Sequence, residues 1–169
     1  MRREVLTWDE VDKLIDNLIP QFKVEFDAMV VITRGGIIPG GMIAEAINLN
    51  TILTAAVDFP TQMGPENEQS RLRMWPQFLQ FPEEPLLRGH RILVVDDVWG
   101  SGRTITSVKN RISGAAGVAY TCVLHLNPYR SLFGSLRPDF YAAITDAHIV
   151  YPWEINRGPE NVLSAPFHD

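Results

Sequence analysis

The sequence predicts an α/β protein: a mostly parallel, twisted sheet with helices on both faces. Three observations predict it. Short apolar runs rich in β-branched residues recur along the chain, separated by helix-forming stretches, an alternation that yields parallel strands joined by right-handed crossovers. Two of these runs, Met29 to Thr33 and Ile92 to Val95, show no polar alternation, as expected of strands covered on both sides. Each of the two passes directly into a glycine-bearing turn and then a helical pattern. A chain of 169 residues suffices for one well-buried core and is short for two, so residues 1–169 are expected to form a single domain.

The elements follow in order. Leu6-Thr-Trp-Asp-Glu10 reads as a helix start, with Thr7 as cap, Glu10 three residues on completing a capping box, and Leu6 and Val11 as a hydrophobic staple. Val11, Leu14, Ile15, Leu18 and Ile19 mark one helical face, which ends near Pro20. Strands are predicted at Met29 to Thr33, Thr51 to Val57, Ile92 to Val95, Val118 to Leu126 and Phe140 to Thr145. Helices are predicted over roughly Pro39 to Ile47 and from Thr104 through about Ser113. Asp58 to His90 break the rhythm, with Pro60, Gly64, Pro65, Pro76, Pro82 and Pro85 punctuating a polar stretch. A connection of that length reads as a functional lid or as an insertion carrying a short hairpin. Within it Met74, Trp75, Phe78, Leu79 and Phe81 are apolar enough to need a packing surface, a second subunit included.

Bulk properties exclude several classes. Hydrophobic content of 46% with 21% charged residues is that of an ordinary globular chain. A net charge of −5 argues against nonspecific nucleic-acid or anionic-membrane binding, and no apolar run reaches spanning length. With no secretory signal pattern near Met1, a cytoplasmic location is the expectation. The lone cysteine, Cys122, sits in an apolar run, cannot form an internal disulfide, and reads as a core residue.

The chemistry concentrates in Arg91-Ile-Leu-Val-Val-Asp-Asp-Val-Trp-Gly-Ser-Gly-Arg-Thr-Ile105. Asp96 and Asp97 stand at the carboxyl end of a buried strand, where ligands sit in open α/β sheets. Gly100, Ser101, Gly102, Arg103 and Thr104 follow and lead into a helix. The glycines let the backbone turn sharply and aim N–H groups at one spot, the helix N-terminus adds partial positive charge, and Ser101 and Thr104 add hydroxyl donors. That loop suits a phosphate, while the carboxylates suit sugar hydroxyls or magnesium. A receiver domain also opens with such an acidic pair, yet it needs a full domain after the pair and only Val98 to Asp169 remain. A Walker loop lacks its Gly-Lys-Ser/Thr, and a dinucleotide fingerprint lacks its third glycine. A second strand–turn–helix motif, Val30-Val-Ile-Thr-Arg-Gly-Gly-Ile-Ile-Pro-Gly-Gly-Met-Ile-Ala44, sets Arg34 beside Gly35, permitting close backbone approach and a charge-assisted contact to a polyanion.

Together the two motifs resemble the signature of type I phosphoribosyltransferases, which bind phosphoribosyl pyrophosphate (PRPP). The resemblance implies that Asp96 and Asp97 hold the ribose hydroxyls and Mg2+. It gives the 5′-phosphate to Gly100, Ser101, Gly102, Arg103 and Thr104, and the pyrophosphate to Arg34 and Gly35, often across a cis peptide that here would join Thr33 and Arg34. Asp96, Asp97 and Arg34 would be the catalytic groups. It also implies a flexible loop within Asp58 to His90 that closes over the reacting centre, a small C-terminal hood, and a homo-oligomer, dimer or tetramer.

Size and the segment Ala147-His-Ile-Val-Tyr-Pro-Trp-Glu154 are most similar to the small bacterial and archaeal purine enzymes of xanthine-guanine type. Base contacts then fall to Asn127, His148 and Ile149. Three positions differ from that pattern. Gly100 stands where those enzymes carry a proton-accepting Asp, Asn127 lies near their oxygen-reading Lys, and His148 lies near their stacking aromatic residue. The implied activity is transfer of the 5-phosphoribosyl group from PRPP to a nucleobase, a purine first, releasing pyrophosphate. The alternative is a sensor of the same fold that binds PRPP or a nucleoside monophosphate with little turnover. Glu154 and His148 are the candidate substitutes for the missing carboxylate.

Overall fold

In the computed structural model, residues 2–59 and 75–154 are described. The central sheet has six strands in the order β4-β3-β2-β5-β6-β7. These are β2 (Ala28–Ile32), β3 (Ile52–Asp58), β4 (Gln77–Gln80), β5 (Arg91–Trp99), β6 (Val118–Leu126) and β7 (Phe140–Ile144). All pair parallel except β3 with β4. The α/β, mostly parallel architecture expected from the sequence is therefore present.

The missing polar alternation in β2 and β5 has a direct structural cause. Successive strand residues point to opposite faces, and both faces are covered. Met29, Val31, Leu93 and Val95 pack with Val11, Ile15 and Leu18 of helix α1 (Trp8–Leu18) and Ile43 of helix α2 (Ile37–Ala46). Val30, Ile32, Ile92 and Val94 face the other way, against Ile105, Val108 and Ile112 of helix α3 (Arg103–Gly114). Truncating Leu93, fully buried between these layers, to alanine would cost about 2–5 kcal/mol. The α1 capping box forms as read: Glu10 N donates to Thr7 Oγ1, and Thr7 N donates to Glu10 Oε2 at 2.7 Å.

Four boundaries differ from the sequence reading. β5 continues through Asp96 and Asp97 to Trp99, because β6 pairs with it through Asp96↔Val123, Val98↔His125 and Trp99↔Leu126. The carboxylates thus sit on a central strand, held by its ladder, rather than just past its end. α2 begins at Ile37, with Pro39 in its first turn where a missing N–H does no harm. Part of the Asp58 to His90 interval is regular: β4 folds back antiparallel on β3, and a 3₁₀ turn (Glu84–Leu86) leads to the fully buried Leu87. Phe78 and Phe81 pack edge to face (5.2 Å) beneath the Arg111 guanidinium, whereas Trp75 and Leu79 stay exposed. The lid expectation for 60–74, and Met74 with it, lies outside the described residues.

The fourth difference is a second sheet. β1 (Arg3–Val5) pairs in parallel with β8 (His148–Val150), matching Arg3↔His148 and Val5↔Val150. This two-stranded hood, continued by a 3₁₀ turn (Pro152–Glu154), fixes where His148 and Ile149 stand. Among the described residues no helix is long and apolar enough to cross a membrane.

Candidate functional site

Two adjoining cavities open at the carboxyl ends of β2, β5 and β6. The larger, about 480 Å³, is walled by Arg34, Gly35, Asp96, Asp97, Trp153 and Glu154. The smaller, about 170 Å³, is walled by Gly100, Asn127, Arg130, His148, Ile149 and Tyr151, among others. Asp97 and Glu154 belong to both walls. Of the residues named from sequence, Arg34, Gly35, Asp96 and Asp97 thus gather in the larger cavity, and Asn127, His148 and Ile149 in the smaller, where Gly100 joins them.

The turn after β2 owes its shape to glycine. The Thr33–Arg34 peptide is cis. A Cβ on Gly35 would lie 2.6 Å from the Asp97 carboxylate, and one on Gly36 would collide with the Val95 carbonyl. Bare backbone is what lets this turn lie directly against the acidic strand.

Asp96 and Asp97 form no ion pair among the described residues. Asp97 N donates to Asp96 Oδ1 at 3.0 Å. Burial, and then the charge of Asp97, hold the Asp96 carboxyl well above the usual carboxylate range. Burial, and then the charge of Glu154, push Asp97 up to about 6. A partly enclosed acidic pair in no ion pair among the described residues suits hydroxyl donors and a hard divalent ion. Two carboxylates fit Mg2+, which takes few protein oxygens and keeps waters and substrate phosphates as its other ligands.

Ser101, Gly102, Arg103 and Thr104 lie outside the walls of both cavities and form the turn into α3. Gly102 has φ +80°, the left-handed region, and a Cβ there would meet the Trp99 ring at 2.6–2.7 Å. Gly102, the residue before α3, has no side chain to cap the helix, and the first helical N–H, that of Arg103, donates to Ser101 Oγ at 3.3 Å. Arg103 stacks over Phe59 at 4.1 Å.

Sequence reasoning left out of its site residues a buried hydrogen-bonded chain behind the carboxylates. Tyr151 Oη donates to the Asp97 carbonyl at 3.0 Å and lies 2.8 Å from His125 Nδ1. With the phenol proton on Asp97 O, the imidazole must carry its proton on Nδ1. Burial holds His125 down to about 4 and pushes the Tyr151 phenol up, so both stay neutral. Trp153 stacks on Tyr151 at 4.6 Å, nearly coplanar, and its buried Nε1 has no partner among the described residues. Arg130 was also left out. Its signal was present in Asn127-Pro-Tyr-Arg130, a four-residue turn with proline second.

An acidic pair and a glycine turn at the carboxyl edge of a mostly parallel sheet mark the place where proteins of this α/β class bind their ligands. A profile of the phosphoribosyl transferase domain matches residues 4–150, and the chain belongs to that family. It is 27% identical over 133 residues to a xanthine-guanine phosphoribosyltransferase of Cereibacter sphaeroides, covering 76% of this chain and 69% of that one. A second xanthine-guanine phosphoribosyltransferase, from Ruegeria sp., is 29% identical over 112 residues, covering 62% and 61%. The fold matches that of a purine phosphoribosyltransferase from Pyrococcus horikoshii Ot3 with TM-score 0.75 at 24% identity, over 92% of this chain and 97% of that one.

Proposed function

We propose that this chain, acting as one domain over residues 1–169, transfers the 5-phosphoribosyl group from PRPP to a purine base and releases pyrophosphate. The observation that carries the reading is an acidic pair that forms no ion pair among the described residues, with Asp97 on the walls of both a larger and a smaller cavity. Two substrates meeting at one carbon need two chambers joined at that carbon. The named activities of the xanthine-guanine relatives support purine as the acceptor class.

In this reading Asp96 and Asp97 hold the ribose hydroxyls and a magnesium ion, and Arg34 with the Gly35 backbone holds the pyrophosphate. Gly100, Ser101, Gly102, Arg103 and Thr104 hold the 5′-phosphate. Bound Mg2+ would supply charge neutralisation of the leaving pyrophosphate. The protein's own contribution is geometry: ribose fixed on β5, phosphate on α3, and base placed beside Asn127, His148 and Ile149, so that the attacking nitrogen faces the anomeric carbon. The transition state resembles an oxocarbenium ion, and the charge of the Asp97 carboxylate favours its positive character. The hood limits water, which would otherwise compete with the base. Glu154 and His148 are the groups placed to receive the base's proton. The same reading makes the protein cytoplasmic and a homo-oligomer, dimer or tetramer.

One observation favours the sensor alternative. Among the described residues no atom lies within 4 Å of a Cβ built on Gly100, so they leave the space for an acidic side chain open and unused. The test is a panel of guanine, xanthine, hypoxanthine and adenine with Mg2+ and PRPP, read by pyrophosphate release. Release with a purine supports transfer. Tight PRPP binding without release supports the sensor, and no PRPP binding overturns both.

A further inference from the structure

We propose that His125 is a positioning residue for the reaction: acting through the Tyr151 hydroxyl, it fixes the main chain of Asp97 and so the carboxylate that both cavities share. The inference rests on the reading that Asp97 holds the ribose of PRPP.

The part of β5 that carries the acidic pair is supported unequally. Its register with β6 runs on to Trp99↔Leu126, whereas its described register with β2 ends at Val31↔Val95. The pairs Asp96↔Val123 and Val98↔His125 flank Asp97, and the Asp97 carbonyl accepts from a side chain on the hood side, Tyr151 Oη, at 3.0 Å. Tyr151 is itself held at both ends. Its N–H donates to Glu154 Oε2 at 2.8 Å, its ring stacks on Trp153 at 4.6 Å, and its Oη lies 2.8 Å from His125 Nδ1. His125 and Tyr151 are both buried, and His125 stands outside the described walls of either cavity. The histidine therefore acts through the tyrosine.

A phenol has one proton to give. An imidazole protonated at Nδ1 donates to Tyr151 Oη and leaves Asp97 O as the acceptor of that proton. One protonated at Nε2 would present a bare Nδ1 and compete for it. The tautomer of His125 thus decides whether the hydroxyl holds Asp97 or lets it go. Burial keeps water from replacing a lost partner, so each bond in the chain depends on the other. A histidine that only filled the core would supply volume, whereas this one supplies a directed N–H.

The test compares His125→Phe, which keeps the ring volume and loses the donor, with His125→Asn, whose amide Nδ2 takes the place of Nδ1 on a smaller side chain. Thermal unfolding and calorimetric affinity for PRPP in Mg2+ buffer are measured for each. His125→Phe should bind PRPP about fivefold more weakly than wild type. His125→Asn should recover to within about twofold, although the void it leaves makes it the less stable of the two. In a Tyr151→Phe background, His125→Phe should add no further loss, since the histidine acts only through the hydroxyl. Wild-type affinity in both single variants, equal losses in both, or an added loss in the Tyr151→Phe background would overturn the role of His125 and leave the phosphoribosyl reading standing. Failure of PRPP to bind wild type would overturn both.

Discussion

The two cavities share Asp97 and Glu154, yet they are built in different ways. Described walls of the larger one come chiefly from two strand–turn motifs, through Arg34 and Gly35 just past β2 and Asp96 and Asp97 near the end of β5, with Trp153 and Glu154 closing it from the hood. Its chemistry is mostly backbone and carboxylate, and its tolerance for side chains is close to zero at Gly35 and Gly36. The smaller cavity is assembled from short pieces far apart in sequence: the Asn127–Arg130 turn, a three-residue strand of the hood, and Tyr151. Its acidic position is empty at Gly100 and a cation appears at Arg130. The lesson is that the sugar-phosphate half depends on close main-chain approach, while the base half rests on replaceable side chains. Changes in the first should abolish binding, and changes in the second should redirect or weaken it.

The largest expected effect tests the first half. Asp96→Asn with Asp97→Asn should lower Mg2+–PRPP affinity at least a hundredfold, since charged contacts to hydroxyls or metal are worth about 1.5–3 kcal/mol each. Calorimetry reads it directly, and an unchanged affinity would remove both residues from the site.

Next comes the base half. A positioned general base is worth about 10²–10⁴ in rate, so wild-type turnover of guanine, xanthine or hypoxanthine should be weak although PRPP binds. Gly100→Asp meets no obstructing atom within 4 Å among the described residues and should raise purine turnover by about tenfold or more. Pyrophosphate release in steady state measures it. Wild-type rates already equal to those of ordinary purine enzymes would sink the argument from Gly100. No gain in the variant would point instead to Asn127 and His148, and to a different acceptor.

Much of this contrast was legible in the sequence because the larger cavity is local. A covered strand, an acidic pair and a glycine turn are adjacent in the chain, and each has a physical signature within ten or so residues. The capping box at Thr7 and Glu10 was legible for the same reason. What stayed hidden is non-local or too short. β1 and β8 have three residues each, below any usable periodicity, and meet across nearly the whole chain. β5 looked finished at Val95 because carboxylates do not resemble strand residues, and only its pairing with β6 extends it. His125 and Tyr151 gave no local sign of touching.

A smaller effect separates scaffold from site. Asp139, just before β7, accepts from Thr121 N at 2.7 Å, Thr121 Oγ1 at 2.8 Å and Lys109 Nζ at 2.9 Å, tying the entry of β7 to β6 and α3. Burial pushes its carboxyl up, but these bonds outweigh it and hold it below the ordinary value. A carboxyl lowered on folding stabilises fully above its unfolded value and loses that contribution as pH falls through the folded one. Asp139→Asn should therefore cost about 1–2 kcal/mol at neutral pH, with the gap to wild type closing in acid. Thermal unfolding across pH measures this. PRPP and nucleotide affinities should not move, and a change in either would make Asp139 part of the site.

The last and smallest effect tests whether the two halves are mechanically joined. Tyr151 belongs to the hood side, but its hydroxyl holds the main-chain carbonyl of Asp97 on the strand side. Tyr151→Phe keeps the ring and its stack on Trp153, so it opens no cavity of consequence. It removes one donor to Asp97 O and leaves His125 Nδ1 without its acceptor. Stability should fall by about 1 kcal/mol. If the hydroxyl only supports the fold, ligand affinities stay at wild-type values once the protein is folded. If it also orients Asp97, PRPP affinity drops by about fivefold, the amount that 1 kcal/mol spent on realigning the carboxylate implies. The second outcome is expected, because the bond lands on the backbone of the residue shared by both cavities. Equal PRPP affinity in wild type and Tyr151→Phe would show instead that the central strand alone sets the carboxylate, and that the base half can be rebuilt without consequence for the sugar half.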